Sequence, residues 1–353
     1  MIPLLLALPF VAAGILAMPG FSRMSAWVDV TAGLFGLAIV LSFVWLPPAP
    51  LPLLRLDRFG LFAAGLVIVA TLGAGRGDGY VTKYLALGGM LPAVLAAHPL
   101  LQVAALTLSA GAALTPFVRT GWYRVPLAGA GLGLLLFGSI LPMSPIASGC
   151  ALLGMATLGV AAPVLLPVLP LLALRHAGPE LVALGLAAVL GCGGGLVLWP
   201  VRRSYVPWLA LGQAGVVAVA FGLAVPQAIF AGLVLLTLLV LSQAARHLAA
   251  GDGLAGSIAS AGLAGLPPFG VFPGVALTLA AVAGLSPWLL PPLLAGLAAL
   301  GWASIRVLPP PRLAASDRWS AAWLPLLAAL LIGWCMPEAV AAWLHGAAMD
   351  VRG

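Results

Sequence analysis

Apolar residues run along this chain in long stretches, each bounded by charge, proline or glycine. They fall near 2–18, 26–46, 59–75, 81–97, 99–117, 125–142, 147–173, 180–199, 205–224, 227–247, 254–284, 287–306 and 320–342. Most hold about 17–23 residues, the length that carries an α-helix across a hydrocarbon core of about 30 Å at about 1.5 Å per residue. The pattern predicts an all-α polytopic membrane protein with about 12–13 transmembrane helices.

Two stretches depart from it. The stretch 147–173 is long and contains PVLLPVLP, so it reads as one tilted helix, a broken helix or two elements. The stretch 254–284 is interrupted at GLPPFGVFPG. Pro267 and Pro268 remove two backbone donors and clash with the preceding turn, which predicts a discontinuous helix around Gly265–Gly274. In a bilayer the freed backbone groups must meet protein or water, so such a break either lines a polar cavity or serves as a packing kink. The connections are short, the longest being 306–320. They leave no room for a soluble domain, so a single transmembrane domain is expected over 1–353.

Composition sharpens the class. Hydrophobic residues make up 63% of the chain and charged residues 7%, too few polar groups to coat a soluble fold of this size. The net charge of +7 comes from arginines dispersed over many loops. They read as interfacial anchors facing the lipid bilayer, and with no contiguous basic face nucleic-acid binding is excluded. Lys/Arg totals are similar on the two sides, so the charge rule fixes no orientation. Cys150, Cys192 and Cys335 are far apart, without a CxxC or a Cys/His cluster, and read as packing residues rather than metal ligands or a disulfide framework. The N-terminal MIPLLLALPFVAAGILAMPGFSR lacks a basic leader region and runs into further apolar stretches, which predicts a retained first helix.

Four segments, in order, carry a resemblance. They are LRLDRFGLFAAGLVIVA (54–70), GYVTKYLALGGMLPAVLAAHPLLQVAAL (79–106), VRRSYVPWLALGQAGVVAVAFGLA (201–224) and ASAGLAGLPPFGVFPG (259–274). The first resembles the Asp-initiated third helix of the antiporter-like proton-conducting membrane subunits. That superfamily is shared by respiratory complex I (NADH-quinone oxidoreductase), energy-converting membrane hydrogenases and multisubunit cation/proton antiporters. The second resembles the pair of helices that follows, with its aromatic and basic start at Tyr80 and Lys83. The third resembles the family's "KRLLAYSSIGQAG" loop and helix, here ending in Gly212-Gln213-Ala214-Gly215, and the fourth its "LAGLPPFAGF" element. Together they cover roughly residues 50–300.

The resemblance implies a proton path built on intramembrane charge: a Glu in the fifth helix, Lys in the seventh, Lys or His in the eighth, and Lys or Glu in the twelfth. This sequence departs at each. The glutamate segment matches LQVAALTLSAGAAL, which puts Thr107 or Leu108 at the carboxylate position, and no acidic residue lies between Asp78 and Glu180. Lys83 is the sole lysine of the chain and opens a helix. The family's "HALFKALLFLAAG" matches LVLSQAARHLAAG (239–251), with Gln243 nearest the lysine, and the later lysine falls on Val275. A proton path needs titratable groups within the span. The polar residues expected there, including Thr107, Ser109, Gln213, Thr237, Ser242 and Gln243, do not change charge. His247 is the group that titrates near neutral pH, and beside Arg246 it reads as interfacial rather than as a relay.

The resemblance therefore implies a degenerate antiporter-like subunit in the inner membrane: a structural spacer beside other membrane subunits of a complex-I-like or membrane-hydrogenase-like, redox-driven assembly. An active proton channel using polar residues, water and partner charges is the first alternative, and a stand-alone small-molecule transporter the second. No catalytic, metal or cofactor residues are expected: there is no Cys cluster, no axial His pair and no Ser/His/Asp spacing.

Overall fold

The computed structural model describes residues 2–18, 25–45, 54–73, 80–114, 124–140, 145–161, 165, 169–199, 205–249, 253–308 and 321–351. Arg119, Arg202, Arg203, Arg312, Arg318 and most of PVLLPVLP lie outside them. The helices in chain order are α1 (Ile2–Ala17), α2 (Ser25–Trp45), α3 (Arg58–Gly73), α4 (Tyr80–Leu95), α5 (Pro99–Leu114), α6 (Arg124–Ile140), α7 (Pro145–Ala161), α8 (Leu169–Ala173), α9 (Pro179–Leu198), α10 (Tyr205–Gly222), α11 (Pro226–Leu248), α12 (Leu254–Leu263), α13 (Phe272–Leu285), α14 (Leu290–Val307), α15 (Trp323–Trp334) and α16 (Glu338–Asp350). The fold is all-α, as the apolar runs predict, because a helix satisfies its own backbone where no water does. The chain forms two compact units, Met1–Leu172 and Ala173–Gly353.

In the first unit, α4 packs against α1, α3 and α5, and α6 against α7. Asp57 caps α3: the Gly60 amide donates to its Oδ1 at 2.7 Å, satisfying a donor that the first turn cannot. The Arg55 side chain pairs with Asp57 and lies 5.5 Å from the centre of the Phe59 ring, while the Arg55 amide donates to Leu95 O at 2.6 Å. The segment before α3 is thereby tied to the end of α4. Helices α4 and α5 touch through small residues: the Ser109 hydroxyl donates to Ala86 O at 2.8 Å, and Gly89 faces Ser109 with no space for a side chain.

In the second unit, α11 is the central helix, packed against α10, α12, α13, α15 and α16. It is apolar around its circumference, with Leu233 through Leu236 and Leu238 through Val240 fully buried, as a helix surrounded by other helices must be. Its last turn meets the starts of α12 and α15 in a cluster of Ala245, Ala249, Ala255, Ala259, Ala322 and Leu326. Helices α9 and α10 approach closely: a Cβ on Gly215 would stand 2.7 Å from Gly185 O. Such small-residue contacts replace the hydrophobic drive that lipid removes.

The helix boundaries follow the apolar runs most closely from α9 to α14. Of the stretch 147–173, the described residues hold α7, to Ala161, and the short α8, from Leu169. One run resolves differently. The stretch 320–342, expected as one span, breaks into α15 and α16, bent by 77°. Pro337 has no amide to continue the ladder to Gly333 O, so the first helix stops and the second starts in a new direction. Among the described residues four helices are long and apolar enough to cross a membrane, at Pro179–Leu198, Tyr205–Gly222, Pro226–Leu248 and Pro287–Arg306, and a fifth span results if the bent pair is one. The other apolar helices have described stretches of 10–17 residues.

Candidate functional site

The GLPPFG element is a true interruption. Helix α12 stops at Leu263 and α13 starts at Phe272. Because Pro267 and Pro268 carry no amide proton, the carbonyls of Leu263 and Ala264 have no donor four residues on. Gly265 and Gly270 adopt φ of 77° and 60°, a region that glycine enters without steric cost. The chain folds back on the last turn of α12, where Gly262 O accepts from both the Gly265 and Val271 amides at 3.1 Å. The Trp334 indole, at the end of α15, donates from Nε1 to Pro268 O at 2.7 Å. Its ring stacks on Phe272 with centroids 6.3 Å apart.

Two buried polar side chains converge on that last turn. A Cβ placed on Gly265 would lie 3.2 Å from Gln213 Nε2, and one on Gly262 would lie 3.6 Å from Ser242 Oγ. Gln213 comes from α10 and Ser242 from α11, and both are fully buried. Among the described residues neither Gln213 Nε2 and Oε1 nor Ser242 Oγ has a hydrogen-bond partner. Earlier in α12, Tyr205 donates to Ser260 Oγ at 3.1 Å, and Ser260 in turn donates to Gly256 O at 2.8 Å. Ser257 Oγ is buried without a partner. These groups offer hydrogen-bond donors and acceptors, and none of them is a carboxylate, lysine or histidine.

The predicted polar positions separate in the structure. Gln213 lies beside Gly265 at the break that Pro267 and Pro268 produce. Val275 is buried in the first turns of α13, its amide bonded to Val271 O at 3.0 Å. Gln243 is half-buried and His247 exposed on the last two turns of α11. Thr107, on α5 of the first unit, is exposed and spends its hydroxyl on its own helix, donating to Val103 O at 2.8 Å. Two residues on, Ser109 turns inward and is fully buried. Lys83, expected at a helix start, does lie in the first turn of α4 but is 7% exposed, with Nζ 5.5 Å from the centre of the Tyr84 ring. The residues missed by sequence reasoning are Tyr205, Ser257, Ser260 and Trp334. The i, i+3 spacing of Ser257 and Ser260 signals one polar face on α12, whereas nothing local pairs Trp334 with Pro268. Among the described residues no group of three or more His, Cys, Asp or Glu is placed to hold a metal.

No protein-family model matches the chain, and no curated protein matches its sequence. Solved structures do. A chain of respiratory complex I from Thermus thermophilus aligns with a TM-score of 0.72 and 18% identity over 99% of this chain and 99% of that one. A chain of the Mrp complex from Dietzia sp. DQ12-45-1b aligns with a TM-score of 0.78 and 15% identity, covering 98% of this chain and 52% of the other. A chain of the membrane-bound sulfane sulfur reductase, an archaeal respiratory membrane complex, aligns with a TM-score of 0.71 and 14% identity over 99% and 97% of the two chains. The present chain shares its fold with chains of these three complexes.

Proposed function

We propose that this chain is a membrane-arm subunit of a multi-subunit, redox-driven complex of the complex-I-like or membrane-hydrogenase-like kind. In this reading it sits in the inner (cytoplasmic) membrane, acts as one transmembrane domain over 1–353, and serves as a structural spacer between other membrane subunits. Its fold is that of subunits from such assemblies. The observation that carries the spacer role is the uncharged character of the matched positions. Thr107 is turned outward, Gln243 is half-buried and Val275 is packed in α13. None of the three changes charge, and a proton path through lipid needs groups that do. Any redox chemistry belongs to the partners.

The unpartnered carboxamide and hydroxyl of Gln213 and Ser242 favour the second reading, a conducting subunit that borrows charge from a neighbour. The two are separated by mild-detergent purification of the tagged protein from its native membrane, mass spectrometry of its companions, and proton flux in vesicles. For the spacer, redox or sibling antiporter-like subunits are recovered, and Gln243→Leu and His247→Leu leave flux unchanged. Selective loss of pumping in an intact complex would establish the conducting reading. Recovery of the chain alone would discard both in favour of a stand-alone transporter.

A further inference from the structure

We propose that a small cluster of bound water fills the end of α12, bridging the Gln213 carboxamide, the Ser242 hydroxyl and the carbonyls of Leu263 and Ala264. The inference goes beyond the spacer reading and does not depend on it. Two fully buried side chains bring unpartnered polar atoms, Gln213 Nε2 and Ser242 Oγ, close to Gly265 and Gly262 at the end of α12. That turn has just lost two amide donors to Pro267 and Pro268. A buried polar atom left without a partner is costly, and internal water with two to four polar neighbours is the usual remedy.

The chemistry favours water over a cation. The carbonyls at the C-terminal end of α12 want donors, and so does Gln213 Oε1, but Nε2 carries two protons that need acceptors. Water supplies both, while a metal ion would satisfy the oxygens and repel the amide protons. The surroundings favour a closed cluster rather than a through-going file. One helical turn from Gln213 stand Val216 and Val217, and one turn from Ser242 stand Leu238 and Leu239, all fully buried. Water held there would bind α10, α11 and the broken helix together without carrying anything between them.

The test is a double-mutant cycle on the purified full-length protein, with Gln213→Met, Ser242→Ala and the pair, read as thermal midpoints in sodium, potassium and choline chloride. Two groups sharing one cluster lower the midpoint singly by several degrees and jointly by clearly less than the sum. The wild-type midpoint is then the same in all three salts. Additive effects, or a midpoint raised by Gln213→Met, would mean a dry site and overturn the proposal. A wild-type midpoint that follows the cation, and ceases to do so in Gln213→Met, would overturn it in favour of an ion site. Should the variants fail to fold, X-ray hydroxyl-radical labelling of the wild-type protein decides. Oxidation of the fully buried Leu263 and Val271 supports bound water, and their protection refutes it.

Discussion

The indole Nε1 of Trp334 donates to the carbonyl oxygen of Pro268 across 2.7 Å, so the break in one helix is closed by the end of another. Pro268 belongs to the interruption between α12 and α13, and Trp334 is the last residue of α15 before its own 77° bend. The contact is supported by Phe272 stacked on the indole and by Gly333, where a Cβ would stand 2.9 Å from Pro273 Cγ. Each break leaves backbone groups unpaired, and pressing the two together satisfies one of them from within the protein.

Removing this donor tests its weight. Trp334→Phe keeps the stacking surface but not the N–H, and a cost of about 1 kcal/mol is expected from one net hydrogen bond. Trp334→Ala, which also removes the ring, is expected to cost more. Equilibrium unfolding of the purified protein in detergent measures both, and equal stability of Trp334→Phe and wild type would show that the bond contributes nothing.

Asp57 caps α3 through the Gly60 amide and also holds Arg55. Replacing it with Ala is expected to cost about 1–2 kcal/mol, near the upper range for a cap. Asp57→Asn, which keeps the accepting oxygen, retains most of that stability. The same unfolding measurement distinguishes them: similar losses in both variants would mean that the ion pair, and not the cap, matters.

At the contact of α9 and α10, a Cβ on Gly215 would meet Gly185 O at 2.7 Å and the Ala188 methyl at 2.9 Å. The obstacle is backbone rather than a movable side-chain tip, so Gly215→Val must separate two helices. A loss of about 3 kcal/mol is expected, seen as reduced yield of folded protein. Gly194, with nothing within 4 Å of its Cβ position, is the matched control, and Gly194→Val is expected to accumulate normally.

The three thiols differ in access. Cys335 is exposed, Cys150 intermediate and Cys192 buried. Labelling of the detergent-solubilised protein with a small maleimide should proceed in that order, with Cys192 reacting only after denaturation, because the reagent must reach the sulfur. Peptide mass spectrometry reads the order, and early labelling of Cys192 would contradict the packing of α9.

The start of α3 and the helix interruption were both legible in the sequence, for one physical reason: each is a local matter. Asp57 caps the turn that follows it, and Pro267 and Pro268 strip donors from the turn before them. The bend at Pro337 had the same signal but was hidden inside an apolar run that hydropathy alone joined. Thr107 shows the limit at the level of a side chain. The matched segment put Thr107 or Leu108 at the carboxylate position, but that Ser109 is the one turned inward depends on the rotation of α5 against α4, where Gly89 fits against Ser109.

What the sequence determined alone is the solvent and the element. Long apolar runs with 7% charge are stable only as helices in lipid, since each helix pays its own backbone hydrogen bonds. It also determined where charge is missing, because no packing can supply a titratable group that the chain does not encode. Tertiary structure decided which uncharged polar groups meet. Gln213 and Gly265 are brought together from α10 and the α12–α13 break, Ser242 and Gly262 from α11 and α12, and Trp334 and Pro268 from the ends of two broken elements. Those meetings depend on helix rotation and close approach, which arise from the mutual packing of many side chains and leave no mark in any one segment.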